Sequence, residues 1–208
     1  MTTTDTASGA IDFTLMYATH DAFRRDLDRM ARSSAAGAPG FDRTGWLNFK
    51  RQLHVHHTVE DTALWPRLRA ALAGRPRDLD LVVQMEAEHA RLDSVLGAVD
   101  EALAPGSAGD LAERISELSA VLGDHMKHEE DAALPLIQQV LTAKDWGAFR
   151  GSMARTQGPR GAAAYVPWIV DGVSADVRKR YLGVFPAPVR LLNSLFWEPA
   201  YRRRHAGS

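Results

Sequence analysis

Apolar residues recur every three or four positions through the first two thirds of the chain, and no stretch alternates regularly between apolar and polar residues. This spacing places apolar side chains along one face of an α-helix. Four such stripes are present, from Phe13 to Met30, from Trp46 to Leu64, from Val82 to Leu103 and from Leu111 to Val140. Because short connections between long amphipathic helices favour antiparallel neighbours, residues 1–142 are predicted to form an all-α, up-down four-helix bundle.

The pattern changes near Lys144, where apolar groups become shorter and glycine and proline more frequent. Residues 143–208 are therefore predicted to form a C-terminal helical extension packed on the bundle. Within it, DWGAFRGSM predicts a short helix, and the last segment predicts another that ends in YRRRH. The aromatic residues of this extension are expected on the outside of the bundle or over the entrance to a site: Tyr165, Trp168, Phe196 and Trp197.

Composition excludes several classes of protein. Lys and Arg total 25 against 26 Asp and Glu, so no bulk basic field favours nucleic acid or an anionic membrane as a partner. Cysteine is absent, which excludes disulfides and thiolate metal sites and is typical of a reducing compartment. The segment MTTTDTASGAIDF lacks the features of a signal peptide, and no apolar run approaches the roughly 18 residues of a membrane span. We expect a cytoplasmic protein.

The chain contains an internal repeat with a shift of 69 residues, which follows from 89 − 20 and from 125 − 56. The matched pairs are Met16 with Met85, His20 with His89, His56 with His125, Glu60 with Glu129, Asp61 with Glu130 and Pro66 with Pro135. A helix hairpin is thus used twice. Each hairpin supplies one histidine from its first helix and a histidine with a glutamate from its second, and two packed hairpins would bring these sets to one level.

The matched polar residues lie on apolar helix faces. Because successive positions differ by about 100°, Glu60 points the same way as His56, and Glu129 the same way as His125. A buried ionised glutamate is unfavourable by several kcal/mol unless a cation or hydrogen bonds offset it. No Lys or Arg lies on these stripes nearby. Imidazoles with carboxylates suit iron, manganese or zinc, and carboxylates that bridge two ions are the simplest use of a duplicated half-site.

Four segments carry a resemblance to a known family: HDAFRRDL, HHTVEDTALWPRL, EAEHARLDSVL and HMKHEEDAALPLI. Together they resemble the hemerythrin-like, or HHE cation-binding, domain over about Asp12 to Leu141. The resemblance implies a four-helix bundle that holds non-haem iron, usually as an oxygen-bridged pair of Fe ions. It also implies iron ligands, namely His20, His56, Glu60, His89, His125 and one acid of the fourth helix.

The identity of the fourth-helix acid depends on which pattern is followed. The oxygen carriers of the family place it five residues after the histidine, which is Glu130, whereas helical periodicity favours Glu129. These carriers also have a further histidine where this chain has Met85. That departure argues against reversible oxygen carriage. Glu86 is a candidate for the missing ligand, and Tyr17, which is more simply an aromatic residue of the apolar face, is a weaker one.

Other histidines and two prolines have simpler interpretations. His54, His57 and His128 lie off the stripes, where exposure to solvent or support of a ligand is expected more than metal binding. Pro66 and Pro135 would each disrupt a helix interior, so a local kink beyond the site is expected at both.

The residues and the resemblance support a non-haem diiron protein as the first function hypothesis. It would handle a small oxidant or gas (O2, peroxide or NO), or sense or store iron, with redox chemistry or sensing favoured over transport. The sequence leaves open whether it is an enzyme. The alternative is an interaction or regulatory module that metal stabilises and that acts through its C-terminal extension. A hydrolytic zinc or manganese site is the third hypothesis.

Overall fold

The computed structural model describes residues 9–35, 41–104 and 110–205. Residues 1–8 and 206–208 lie outside the described residues. The predicted ranges 1–142 and 143–208 and the signal-peptide argument include some of them. Regular structure in the described ranges is entirely helical, as the stripes predict. The α-helices are α1 (Thr14–Ala35), α2 (Arg43–Val59), α3 (Trp65–Ala71), α4 (Pro76–Ala102), α5 (Leu111–His128), α6 (Leu134–Val140), α7 (Ala143–Ile169), α8 (Ala175–Gly183), α9 (Ala187–Leu192) and α10 (Glu198–His205).

Side-chain caps fix where three of the long helices begin. The Asp42 carboxylate accepts the backbone N–H of Gly45 at 2.9 Å and starts α2, and Asp110 does the same for the first turn of α5. Thr142 and Asp145 form a reciprocal capping box at the start of α7. Each cap satisfies backbone N–H groups that have no partner inside the helix.

Two π-helical segments interrupt the second and fourth apolar stripes at equivalent places. The segment π1 (Glu60–Leu64) joins α2 to α3, and π2 (Glu129–Ala133) joins α5 to α6. In each, the first residue accepts a hydrogen bond from the residue five positions later. The wider turn precedes Pro66 or Pro135, which cannot donate a backbone hydrogen bond. The kink expected beyond the site stays a prediction, and the irregular turns that precede the two prolines start at the site glutamates themselves.

The helices of the first two thirds pack around a shared core. α5 lies against both α1 and α4, α2 contacts α1, and α3 contacts α4 and α6. Among the described helices, none has the combined length and apolar character that a membrane crossing requires.

Buried histidines and glutamates divide the core into two apolar clusters. Along α4, for example, Met85 belongs to one cluster and Leu92 to the other, and His89 lies between them. His20 has the same place between Met16 and Phe23 on α1. The polar residues thus form a layer across the interior, with apolar side chains above and below it.

The extension enters this core more deeply than the sequence suggests. Trp168 is fully buried: its ring lies 5.1 Å from that of Phe23, and its indole N–H donates to Asp26 at 2.6 Å. The prediction that Trp168 lies on the outside is wrong, because α7 packs along α1 and α2. The short helix predicted from DWGAFRGSM is part of the much longer α7, which bends at Gly158, where φ is 60°. Phe196, in contrast, is 60% exposed.

Candidate metal centre

Two triads of buried donor atoms lie in the polar layer. In the first triad, His20, His56 and Glu129 each offer one ligand atom, and these atoms lie within 4.8 Å of one another. The second triad consists of His57, His89 and His125 with the same spacing. Such spacing allows three donors to reach one ion. The sequence predicts five of these six residues as ligands.

Glu60 lies between the two triads. One of its oxygens is 3.2 Å from Nε2 of His56, and the other is 3.7 Å from Nε2 of His89. The side chain is fully buried, and neither oxygen has a hydrogen-bond partner within the described parts of the chain. The same is true of both oxygens of Glu129, although Nε2 of His20 is 3.1 Å from one of them. Two carboxylates therefore face the interior without hydrogen bonds.

The electrostatics of this layer favour a cation. Burial, together with the charge of Glu129, raises the pKa of the Glu60 carboxyl well above its usual range. Burial lowers the pKa of His20, but Glu129 and Glu130 outweigh it and raise the value to about 8. Burial raises the pKa of Glu129, and His20 in turn lowers it to about 2. Burial lowers the pKa of both His56 and His57 well below the usual range, so these two imidazoles are neutral and suited to bind a metal.

Carboxylates bind the Nδ1 atoms of three histidines in the layer. His20 pairs with Glu130 at 2.7 Å, and His89 pairs with Asp61 at 2.8 Å. Under the 69-residue shift these two pairs are equivalent, and each joins one hairpin to the other. His125 pairs with Glu88 at 2.8 Å, as does His128. A carboxylate on Nδ1 fixes the ring orientation and turns Nε2 toward the metal side.

The structure separates Glu129 from its neighbour. Glu129 belongs to a triad, whereas Glu130 lies behind His20 and also accepts a hydrogen bond from Arg24 at 2.9 Å. Burial raises the pKa of Glu130, but the hydrogen bonds from His20 and Arg24 lower it overall. Its place favours an orienting role over a bridging one.

Neither of the two replacement ligands reaches the triads. Glu86 pairs with Arg69 at 2.5 Å near the surface, and Tyr17 is 42% exposed. The interpretation of Tyr17 as a residue of the apolar face is wrong, because three positions before His20 correspond to about 60° on the helix, toward solvent. Met16, about 40° away, is buried instead.

His57 is the residue that sequence reasoning missed. It is buried, its ring stacks on that of His89 at 3.9 Å, and it lies 5.2 Å from the ring of His125. The expectation that His57 is exposed to solvent is therefore wrong, whereas the alternative that it supports a ligand stays a prediction. His56 faces α1 while His57 faces α4 and α5, so the buried arc of α2 is wide enough for both. His54 is exposed and His128 supports Glu88, as positions off the stripes predict.

The comparison with protein families agrees with this geometry. Residues 12–137 match the hemerythrin HHE cation-binding domain, and this stretch is more than half of the chain and contains both triads. The chain belongs to the hemerythrin HHE family. The resemblance drawn from the four motifs is confirmed, and cation binding follows as the broad function. In this hemerythrin-like chain α7 to α10 lie outside the matched residues. No curated protein and no solved structure matches it.

Proposed function

We propose that the polar layer binds two iron ions and that the protein uses them to bind or reduce O2, peroxide or NO. Glu60 carries this proposal, because a buried carboxylate with two unpaired oxygens between two donor triads is unfavourable without cations. Its two oxygens face one histidine of each triad, which is the arrangement of a bridging ligand. The donor atoms present therefore fit a dinuclear site.

Each triad would hold one ion. His20, His56 and Glu129 would hold the first, and the second would be held by His57, His89 and His125, with Glu60 shared. Mixed imidazole and carboxylate ligands suit iron in both its common oxidation states. When bound, an iron pair supplies electrons to a small oxidant. The chain's own contribution is to orient the imidazoles through Glu130, Asp61 and Glu88 and to keep bulk water out.

The finer architecture belongs to the same proposal. Helix contacts support an antiparallel up-down bundle whose four members are α1, α2 continued by α3, α4, and α5 continued by α6. Helices α7 to α10 form an extension packed on this bundle. His57 supplies the third imidazole of its triad. The gap left at Met85 therefore argues less strongly against oxygen binding than the sequence alone suggests.

Metal analysis tests the proposal directly. Protein purified without added metal is expected to contain about two iron ions per chain and to show the optical bands of an oxo- or hydroxo-bridged ferric pair. About one zinc per chain without iron would refute it and favour the hydrolytic hypothesis. Spectra recorded after addition of peroxide or NO then distinguish turnover from binding.

A second candidate function rests on exposed apolar residues in the extension. Four large apolar side chains of α9 and of the π-helical segment that follows it (Asn193–Trp197) face solvent, namely Leu191, Leu192, Leu195 and Phe196. Such a patch is typical of a contact with another protein, and it favours a module that iron only stabilises. Deletion of the extension would remove Trp168 from the core, so the sharper test is Leu195→Ser with Phe196→Ser. Unchanged peroxide or NO reactivity in that variant excludes the module as the main account.

A further inference from the structure

Leaving His57 aside, His56 differs from the other triad histidines because its Nδ1 has no carboxylate partner among the described residues. His20, His89 and His125 pair through Nδ1 with Glu130, Asp61 and Glu88, whereas Nδ1 of His56 is buried and has no hydrogen-bond partner among the described residues. With Nε2 directed at the metal centre, Nδ1 carries the proton and is a donor without an acceptor. Such an atom is unfavourable unless something outside the chain binds it.

The internal repeat shows which residue is missing. Glu88 binds His125, and the 69-residue shift gives its counterpart as Thr19, since 88 − 69 is 19. Thr19 does not bind His56. Its hydroxyl donates to the carbonyl of Leu15 at 2.8 Å and lies 2.7 Å from the hydroxyl of Tyr165 on α7. One half of the layer thus contains a carboxylate where the other half contains a shorter, neutral side chain.

A cavity of about 520 Å³ lies at this place and reaches His56. Its walls come from α1, α2 and α7 and from the segment between α8 and α9, and most of its lining side chains are apolar, among them Met16, Trp146, Phe149 and Val166. The volume lies within the roughly 300–1,000 Å³ that small-molecule sites occupy. Because α7 and the α8–α9 segment lie beyond residue 137 and α1 and α2 lie within the matched residues, the cavity lies between the matched family domain and the extension.

One side chain of the cavity wall is a guanidinium without an ion pair among the described residues. Arg150 lines the cavity and forms no hydrogen bond or ion pair within the described ranges, although its charge reaches Tyr165 and Asp12 and opposes the rise in the pKa of the Tyr165 hydroxyl. Thr19 and Tyr165, which also line the cavity, are neutral. An apolar chamber with one unpaired guanidinium and one unpaired N–H donor matches an amphipathic anion.

We propose that this cavity binds a small organic carboxylate with an apolar body, whose carboxylate accepts a hydrogen bond from Nδ1 of His56 and is attracted by Arg150. The ligand then supplies the carboxylate that Glu88 supplies in the other half. The second part of the proposal rests on the proposed metal function: by holding the proton on Nδ1, the ligand keeps Nε2 free for the metal. By reciprocity of linked equilibria, ligand and metal bind more tightly together than apart.

Calorimetric titration of the full chain with decanoate, decanol and decyltrimethylammonium tests the first part. The three probes share an apolar chain and differ in the charge of the head group. We expect decanoate to bind at one site per chain at least tenfold more tightly than decanol, and the cation not to bind. Equal affinity for decanoate and decanol, or no binding of either, would overturn the proposal.

Two variants locate the head group. Thr19→Glu places a carboxylate at the counterpart of Glu88 and is expected to abolish decanoate binding, whereas Thr19→Val is expected to change it less than threefold. Arg150→Gln is expected to weaken decanoate at least tenfold and to leave decanol unchanged. Arg155→Gln is its control, because Arg155 is exposed on the same helix and does not line the cavity. Decanoate affinity that neither Thr19→Glu nor Arg150→Gln alters would refute the site, and melting curves verify that each variant is folded.

Comparison of metal-free and iron-loaded protein tests the coupling. Decanoate is expected to bind several-fold more tightly to the loaded form and to perturb its optical spectrum. Equal affinity in both forms would refute the coupling to His56 while the carboxylate site stands. A chain that takes up no iron would refute the proposed function instead, and the titration of the metal-free protein would still decide the carboxylate site.

Discussion

The two halves of the polar layer share their framework and differ in their surroundings. Asp61 binds His89 and Glu130 binds His20, so the repeat reproduces the contact that joins the hairpins in both directions. The half that contains His89 also has His57, whose repeat counterpart is Met126, a member of the apolar core. The contacts that the repeat reproduces therefore hold the donors in place. The positions at which the two halves differ make the two triads chemically unequal.

The second difference concerns access. Nδ1 of His125 binds Glu88. The residue equivalent to Glu88 in the other half is Thr19, and an apolar cavity lies beside His56 there. In one half the chain's own carboxylate contacts the histidine, and the other half borders a cavity that the extension completes. Duplication thus explains why the layer contains two sets of donor atoms, and the extension explains why their surroundings differ.

The largest effect is expected at the residue that both halves share. Glu60→Gln removes the carboxylate between the triads, so both iron ions should be lost, a larger loss of affinity than the roughly 10–100-fold typical of outer partners. The metal-free variant should melt at a higher temperature than the metal-free unmodified protein, because it no longer contains this buried, unpaired acid. Iron per chain and thermal melting measure the two effects. Glu86→Gln, a surface carboxylate paired with Arg69, is the control, and retention of both ions in Glu60→Gln would refute the bridging role.

Loss of one ion is expected when one half alone is changed. His57→Ala reduces the triad of three imidazoles to two and leaves the other triad intact, so iron should fall from about two to about one per chain. His54→Ala, an exposed histidine one turn earlier, should leave iron content unchanged. If His57→Ala keeps both ions, then His57 is a packing residue and the inequality of the triads disappears.

A smaller and equal effect is expected from the two equivalent orienting carboxylates. Asp61→Asn and Glu130→Gln each weaken the hydrogen bond to a ligand histidine, so each should reduce metal affinity by roughly 10-fold or more. Asp131→Asn is the control, because Asp131 is exposed and pairs only with Lys127 among the described residues. Competition with a chelator measures all three. A difference of more than about tenfold between Asp61→Asn and Glu130→Gln would show that the pairs are not functionally equivalent.

The smallest effect concerns the pH dependence of the metal-free protein. The pKa of His20 is raised from 6.5 to about 8 in the folded state, mainly because Glu129 and Glu130 outweigh burial. The folded state therefore binds the proton more tightly, and the resulting stability is complete below pH 6.5 and lost as pH rises through about 8. Denaturant titrations at several pH values should show this decline. It should become shallower in His20→Gln, where the raised pKa of Glu60 still contributes, and an unchanged decline there would assign it to another group.

Periodicity and the repeat predict most of the polar layer from the sequence. His20, His56, Glu60, His89 and Glu129 share helix faces, and the structure brings them together because residues four apart on a helix point the same way. The all-α class follows from the same spacing. The positions of the Nδ1 carboxylates did not follow, since Asp61 and Glu130 lie off the stripes and meet histidines of the opposite hairpin.

Two errors have a common physical origin. The burial of His57 and of Trp168 depends on how many other helices surround each helix. A single apolar stripe in the sequence does not predict that number. α2 contacts α1 and α7, and its His57 contacts His89 of α4 and His125 of α5, so its buried arc exceeds one stripe. Trp168 lies in a segment with weak periodicity that is nevertheless held against Phe23 by a contact between residues distant in sequence.

Each π segment also accommodates one extra residue within its helix. A π turn holds one residue more than the α turn it replaces, so deletion of Thr62, an exposed residue of π1, would restore an unbroken α-helix. The residues beyond the deletion would keep their orientation, so Leu68 and Leu72, both fully buried, would still face the interior. A single extra residue in each hairpin thus lets a helix present a glutamate to the polar layer and still return its apolar face to the core one turn later.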